Sequence, residues 1–144
     1  MKILFVCKGN MFRSQMAAAI YNQMTQTSDA ISAGTTVGSQ DEPEGWNLSD
    51  IHYLPHFLQF MEEKGMDISK NKTTKLTQEM IDSADLVVSM AEEPYIPDFL
   101  KLNEKIIWWD VANTYSTSGV DEEFATKTYE VLKEKMSHII RKNT

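Results

Sequence analysis

The stretch Ile3-Leu4-Phe5-Val6-Cys7-Lys8-Gly9-Asn10-Met11-Phe12-Arg13-Ser14 restricts this chain more than any other. An apolar run from Ile3 to Val6 reads as a strand buried on both faces, the habit of parallel sheets. It stops at the one cysteine of the sequence; six residues on come an arginine, a serine and then Gln15 to Met24, rich in helix formers. Strand, tight loop and helix N-terminus is how α/β proteins present an anion site, because unpaired N–H groups and the positive end of the helix dipole converge there. The same geometry favours the thiolate form of a cysteine at its mouth.

The residue types then assign roles. A thiolate ringed by amides can attack the phosphorus of a phosphate monoester. Arg13 offers a planar fork to two phosphate oxygens and stabilises the charge they carry during transfer. Ser14 can donate its hydroxyl to the sulfur, Gly9 permits close backbone approach, and Asn10 tolerates a left-handed conformation. Lys8, Met11 and Phe12 complete a phosphate-holding loop. With two arginines in the chain, chance puts one six residues after Cys7 roughly once in seventy. The competing reading is a structural cysteine at a strand end.

A chain of 144 residues fits one domain, 1–144. One cysteine excludes a disulfide framework and a cysteine-rich zinc site, and a free thiol suits a reducing compartment. No basic, apolar leader opens the sequence, no apolar run is long enough to span a bilayer, and the expected address is cytoplasmic. A net charge of −7 argues against nucleic-acid or anionic-membrane partners. His52 and His56, one helical turn apart, lack a third ligand, so neither metal nor cofactor is expected.

Four strands alternate with helices: Ile3–Val6, Ala30–Ala33, Asp85–Met90 and Lys105–Trp109. Helices are expected at 14–25, from Asn47 to Lys64 with Pro55 kinking it or delaying its start, after Thr77, in broken form from Glu92 to Leu100, and from Asp121 to Arg141. The pattern implies an α/β fold: a single domain with a four-stranded, mostly parallel sheet and helices on both faces. Ligands bind beyond the carboxyl ends of such strands, where Cys7, Ser32 to Gly34, Met90 and Asp110 fall. The loop from Thr35 to Trp46 borders that end, and Trp46 either pins it to the core or lines the cleft.

The segment from Val6 to Ser14 resembles the active-site loop of the low-molecular-weight protein tyrosine phosphatases. Ser32-Ala33-Gly34-Thr35, Gly65 to Ser69, Ala84 to Met90 and Trp109 to Tyr115 resemble further segments of that family. The resemblance implies hydrolysis of phosphotyrosine or other aryl phosphate monoesters through a phosphocysteine intermediate, releasing inorganic phosphate. The partner is a phosphotyrosine protein or a small aryl phosphate. Cys7, Arg13 and Ser14 would be catalytic, with Lys8, Gly9, Asn10, Met11, Phe12, Trp46, Asn113 and Tyr115 on the substrate. Phe12, Trp46 and Tyr115 are the candidate aromatic walls of the cleft.

One departure bears on chemistry. The family places its general acid in an Asp-Pro element, where this chain reads Asp110-Val111-Ala112-Asn113-Thr114. Asn113 stands at the aspartate position, and a general acid contributes typically about 100- to 10,000-fold. Either Asp110 takes over the proton transfer, or it is a strand-end residue and the acid is absent. Loss of the acid supports an alternative reading, a catalytically impaired phosphate- or phosphoprotein-binding module. Phe12 stands where many relatives carry a second cysteine, and the arsenate reductases of this fold need redox cysteines that this chain lacks. Asn71 falls near a histidine of the family's network around the loop asparagine, and an amide there can still support Asn10.

Overall fold

The structure is a computed structural model and describes residues 1–40, 42–112 and 121–143. Strands β1 (Ile3–Cys7), β2 (Ala30–Gly34), β3 (Leu86–Ser89) and β4 (Ile106–Trp108) form one sheet in the order β2-β1-β3-β4. All three pairings are parallel, so the mostly parallel sheet expected from the sequence is entirely so. Strand β1 lies in the middle, in register with both neighbours, Ile3 facing Ala30 on one side and Leu86 on the other.

Every residue of β1 is buried, and the alternation of its side chains divides the core in two. Ile3, Phe5 and Cys7 join a cluster under helices α1 (Arg13–Thr25), α2 (Pro55–Glu63) and α5 (Glu122–Lys142). Leu4 and Val6 join a smaller cluster on the opposite face with Leu76, Ile81 and Leu100, beneath α3 (Gln78–Ser83) and α4 (Asp98–Lys101). The sheet is thereby covered on both sides.

The helix boundaries follow from local chemistry. Helix α5 starts where the Asp121 carboxylate accepts from Phe124 N at 2.8 Å, and α3 where the Thr77 hydroxyl accepts from Met80 N at 3.2 Å. Proline has no amide to lose in a first turn. Accordingly Pro55 delays α2 instead of kinking it, and the expected helix from Asn47 reduces to a 3₁₀ turn at Leu48–Asp50. The broken helix expected from Glu92 shrinks to α4, since Pro94 and Pro97 exclude the earlier residues. Gly65, at φ +86°, ends the α2 segment.

Phe12 and Phe57 carry this packing up to the site. Their rings meet edge to face at 4.8 Å, and Phe57 is fully buried. Phe57→Ala is expected to cost about 3–5 kcal/mol of unfolding free energy in urea denaturation; a loss of about 0.5 kcal/mol, typical of a surface position, would contradict this packing.

Candidate active site

Cys7 is the last residue of β1 and is 2% exposed. Beyond it the loop turns through Asn10 at φ +54°, the left-handed conformation that asparagine tolerates and most residues resist. That turn aims the Asn10 amide back at the sulfur, N to Sγ 3.3 Å. The first turn of α1 brings the Ser14 hydroxyl to 3.0 Å from the same sulfur. No acidic side chain occupies that first turn, and the amides of Gly9, Met11 and Phe12 meet no acceptor among the described residues. A sulfur beside a run of main-chain donors at a helix start is an anion-binding concavity.

The Asn10 side chain, fully buried, holds this turn by spending its whole amide. Its Nδ2 donates to Ser14 Oγ at 2.7 Å and to Ser32 Oγ at 2.9 Å, while its Oδ1 accepts from Thr74 N at 2.8 Å. Gln15, 3% exposed, supplies a second brace. Its Nε2 donates to Asn10 O at 3.1 Å, to Asn10 Oδ1 at 3.3 Å and to Lys72 O at 3.2 Å, and its Oε1 accepts from Asn71 Nδ2 at 3.0 Å. The expected support from Asn71 thus reaches Asn10 through Gln15. Strand β2 closes the other side: Thr35 N donates to Cys7 O at 2.9 Å and Thr36 N to Lys8 O at 3.0 Å. A Cβ on Gly34 would stand 2.8 Å from the Lys8 carbonyl oxygen, so this approach requires glycine.

Arg13 is 2% exposed and reaches across the carboxyl ends of the neighbouring strands. Its Nη1 donates to Met90 O just beyond β3, to Val111 O beyond β4 at 3.1 Å, and to Glu92 Oε2 at 2.9 Å; Nη2 reaches Glu92 Oε1 at 3.4 Å. The Glu92 carboxylate thus sits on the Nη1–Nη2 end of the guanidinium, and the Nε–Nη2 side has no acceptor among the described residues. That side is a second planar fork of the kind that takes two oxygens of a phosphate.

The rim carries mixed charge. Lys8 Nζ pairs with Glu42 Oε1 at 2.6 Å and lies 4.7 Å from the centre of the Tyr95 ring. Glu42 also accepts from the Thr36 hydroxyl, which brings the loop after β2 against the site as expected. Tyr53 donates its hydroxyl to Met11 Sδ at 2.9 Å. Burial, and then the nearby Glu42 carboxylate, raise the Tyr53 phenol above its ordinary range, with Lys8 opposing.

A profile of the family described as low molecular weight phosphotyrosine protein phosphatase matches residues 2–98, and the chain belongs to that family. It is similar to a probable low molecular weight protein-tyrosine-phosphatase, EpsP, of Ralstonia solanacearum, 35% identical over 88 residues. That match takes in 61% of this chain and 54% of the relative, so the chain spans about half the length of that protein. An arsenate reductase of Halalkalibacterium halodurans is 31% identical over 127 residues, 84% of this chain and 79% of its own. A protein-arginine-phosphatase of Bacillus subtilis is 30% identical over 93 residues, covering 65% and 57%. Among solved structures, a low molecular weight protein tyrosine phosphatase from T. tengcongensis superposes over 99% of both chains with a TM-score of 0.71 at 26% identity.

The structure brings Cys7, Gly9, Asn10, Ser14 and the Arg13 guanidinium to one end of the sheet. Phe12 departs from expectation: its side chain is 5% exposed and packs on Phe57 and Phe124. It lies in the core, because an apolar residue just before α1 is turned inward, and its ring forms no cleft wall. Trp46 packs against the same core, which selects the pinning alternative. Asp110 is exposed and directly precedes Val111, whose carbonyl meets Arg13. Asn113 and Tyr115 lie outside the described residues. Sequence reasoning missed Gln15, Glu42, Tyr53, Glu92 and Tyr95. Glu92 and Tyr95 follow the carboxyl end of β3, a position that marks them in hindsight. Tyr53 carries no such mark.

Gln15→Ala removes the second brace on Asn10 without touching the sulfur. We expect kcat/KM for p-nitrophenyl phosphate to fall about 10- to 100-fold, the scale of a misplaced loop, with Gln15→Glu, which loses both donors, failing to restore it. Unchanged kinetics in Gln15→Ala would show that the Asn10 turn stands without Gln15.

Proposed function

We propose that this protein is a cysteine-dependent phosphatase acting on phosphotyrosine or other aryl phosphate monoesters. The observation that carries the reading is the Cys7 sulfur held at 3.0 Å from the Ser14 hydroxyl and 3.3 Å from the Asn10 amide, with the Arg13 guanidinium at the same strand ends. The loop amides and the open side of Arg13 hold the phosphoryl oxygens. The Cys7 thiolate attacks phosphorus, an S–P bond forms, and the P–O bond to the aryl group breaks. The departing oxygen takes a proton from Asp110, the one carboxylate on the segment where the family carries its acid. Water then attacks the phosphocysteine, the S–P bond breaks, inorganic phosphate leaves, and the Ser14 hydroxyl stabilises the returning thiolate.

Tyr53 and Tyr95 at the rim, with Met11 between loop and solvent, supply apolar and aromatic surface suited to an aryl leaving group. The relatives named for arginine phosphatase and arsenate reductase activity mark other chemistries of the same loop. Against the second stands the single cysteine of this sequence, which leaves no resolving thiol for a redox cycle. The binding-module reading is favoured by one observation, Asn113 in place of the aspartate.

The substrates' leaving groups separate these readings. p-Nitrophenolate leaves almost without a proton, whereas the phenolate of tyrosine needs one. We expect clear p-nitrophenyl phosphate hydrolysis, weaker turnover of phosphotyrosine peptide, and a gain on the peptide for Asn113→Asp. Asp110→Asn should lower peptide turnover by about 100-fold or more and leave the nitrophenyl ester little changed. Phosphate binding with no turnover of either ester supports the binding module instead, and an unaltered Asp110→Asn removes Asp110 from the mechanism.

A further inference from the structure

The outer flank of α5 and the edge strand β4 enclose a groove of about 810 Å³, within the size range of ligand clefts, about 300–1,000 Å³. Its floor is apolar, made by Leu86, Ile107 and Trp109. Ile107 and Trp109 are two residues apart and so share one face of the edge. Its rim is cationic, with Lys135, Arg141 and Lys142 beside His138, and Glu134 as the carboxylate among the lining residues.

What sets this rim apart in a chain of net charge −7 is three cations gathered around one apolar floor with a single carboxylate among the lining residues. Four cations elsewhere have carboxylate partners: Lys8 with Glu42, Arg13 with Glu92, Lys101 with Glu93 and Lys127 with Glu123. Among the described residues Lys135, Arg141 and Lys142 form no ion pair, and Lys135 Nζ lies 5.9 Å from the centre of the Trp109 ring. The helix dipole accounts for Arg141 and Lys142, which sit in the last turn of α5. It does not account for Lys135, two turns earlier, nor for the apolar floor beneath it.

We propose that this groove binds an extended acidic segment of another protein, laid along β4. Carboxylates of the segment meet the three cations, and large apolar side chains at alternate positions rest on Ile107, Trp109 and the half-exposed Val131. From residue 131 to residue 143 the helix runs about 18 Å at 1.5 Å per residue, the length of five or six extended residues at about 3.3 Å each.

Fluorescence anisotropy with a labelled peptide alternating Glu with Phe and Leu tests this on the whole protein. The peptide should bind, more weakly at 0.3 M than at 0.05 M salt as screening requires, and a Lys-for-Glu version should not. Affinity should fall at least about 10-fold in the double variant Lys135→Glu, Arg141→Glu and again in Val131→Asp. It should be unchanged in Lys127→Glu, farther up the same helix, and in Cys7→Ser, which separates this groove from the phosphate loop. Both groove variants should keep wild-type hydrolysis of p-nitrophenyl phosphate, as a check that they fold. Equal affinity in wild type and the double variant, no binding of the acidic peptide, or tighter binding of a DNA oligonucleotide or phosphatidylserine vesicles than of the peptide overturns the proposal.

Discussion

The carboxamide of Asn10 is the constraint on which the site depends. A residue at φ +54° has left the conformation that an L-residue prefers, and something must hold it there. Here the holding is done by a fully buried side chain with every polar position engaged, to Ser14, Ser32 and Thr74. These partners come from α1, from β2 and from the segment before α3, so the loop closes only once three parts of the fold are in place. The same carboxamide holds the Ser14 hydroxyl that meets the sulfur. Buried polar networks of this kind cost stability when partly satisfied and give a single geometry when complete.

Arg13 does for the strand ends what Asn10 does for the loop. One buried guanidinium ties the exits of β3 and β4 together through Met90 O and Val111 O, while Glu92 neutralises its charge. A buried cation without partners is strongly unfavourable, so the acidic residue just past β3 is as much a part of the site as the arginine. Phosphate binding and the geometry of the segment that follows β4 are therefore mechanically connected through one side chain.

Much of this was legible in the sequence because the signals were local. Ile3 to Val6 is apolar without alternation, as a doubly covered strand requires; Thr77 marks its helix as a cap, and the apolar stripe after Asp121 marks the last one. Cys7, Asn10, Arg13 and Ser14 were found because the loop that gathers them spans eight consecutive residues. What stayed hidden depends on distant segments. The Lys8–Glu42 pair joins residues 34 apart, Arg13–Glu92 residues 79 apart and Gln15–Asn71 residues 56 apart, and no periodicity records such pairings. Phe12 was misread for a related reason. Beside a catalytic loop an aromatic suggests a substrate wall, whereas its burial is decided by Phe57 and Phe124, far along the chain.

The most direct measurement is to trap the intermediate. Protein quenched in acid during turnover of p-nitrophenyl phosphate, then digested and analysed by mass spectrometry, should carry a phosphoryl group on the peptide containing Cys7. The label should vanish in Cys7→Ala and drop sharply in Asn10→Ala. Turnover that proceeds with Cys7 unlabelled, or labelling that Asn10→Ala leaves intact, would contradict the account.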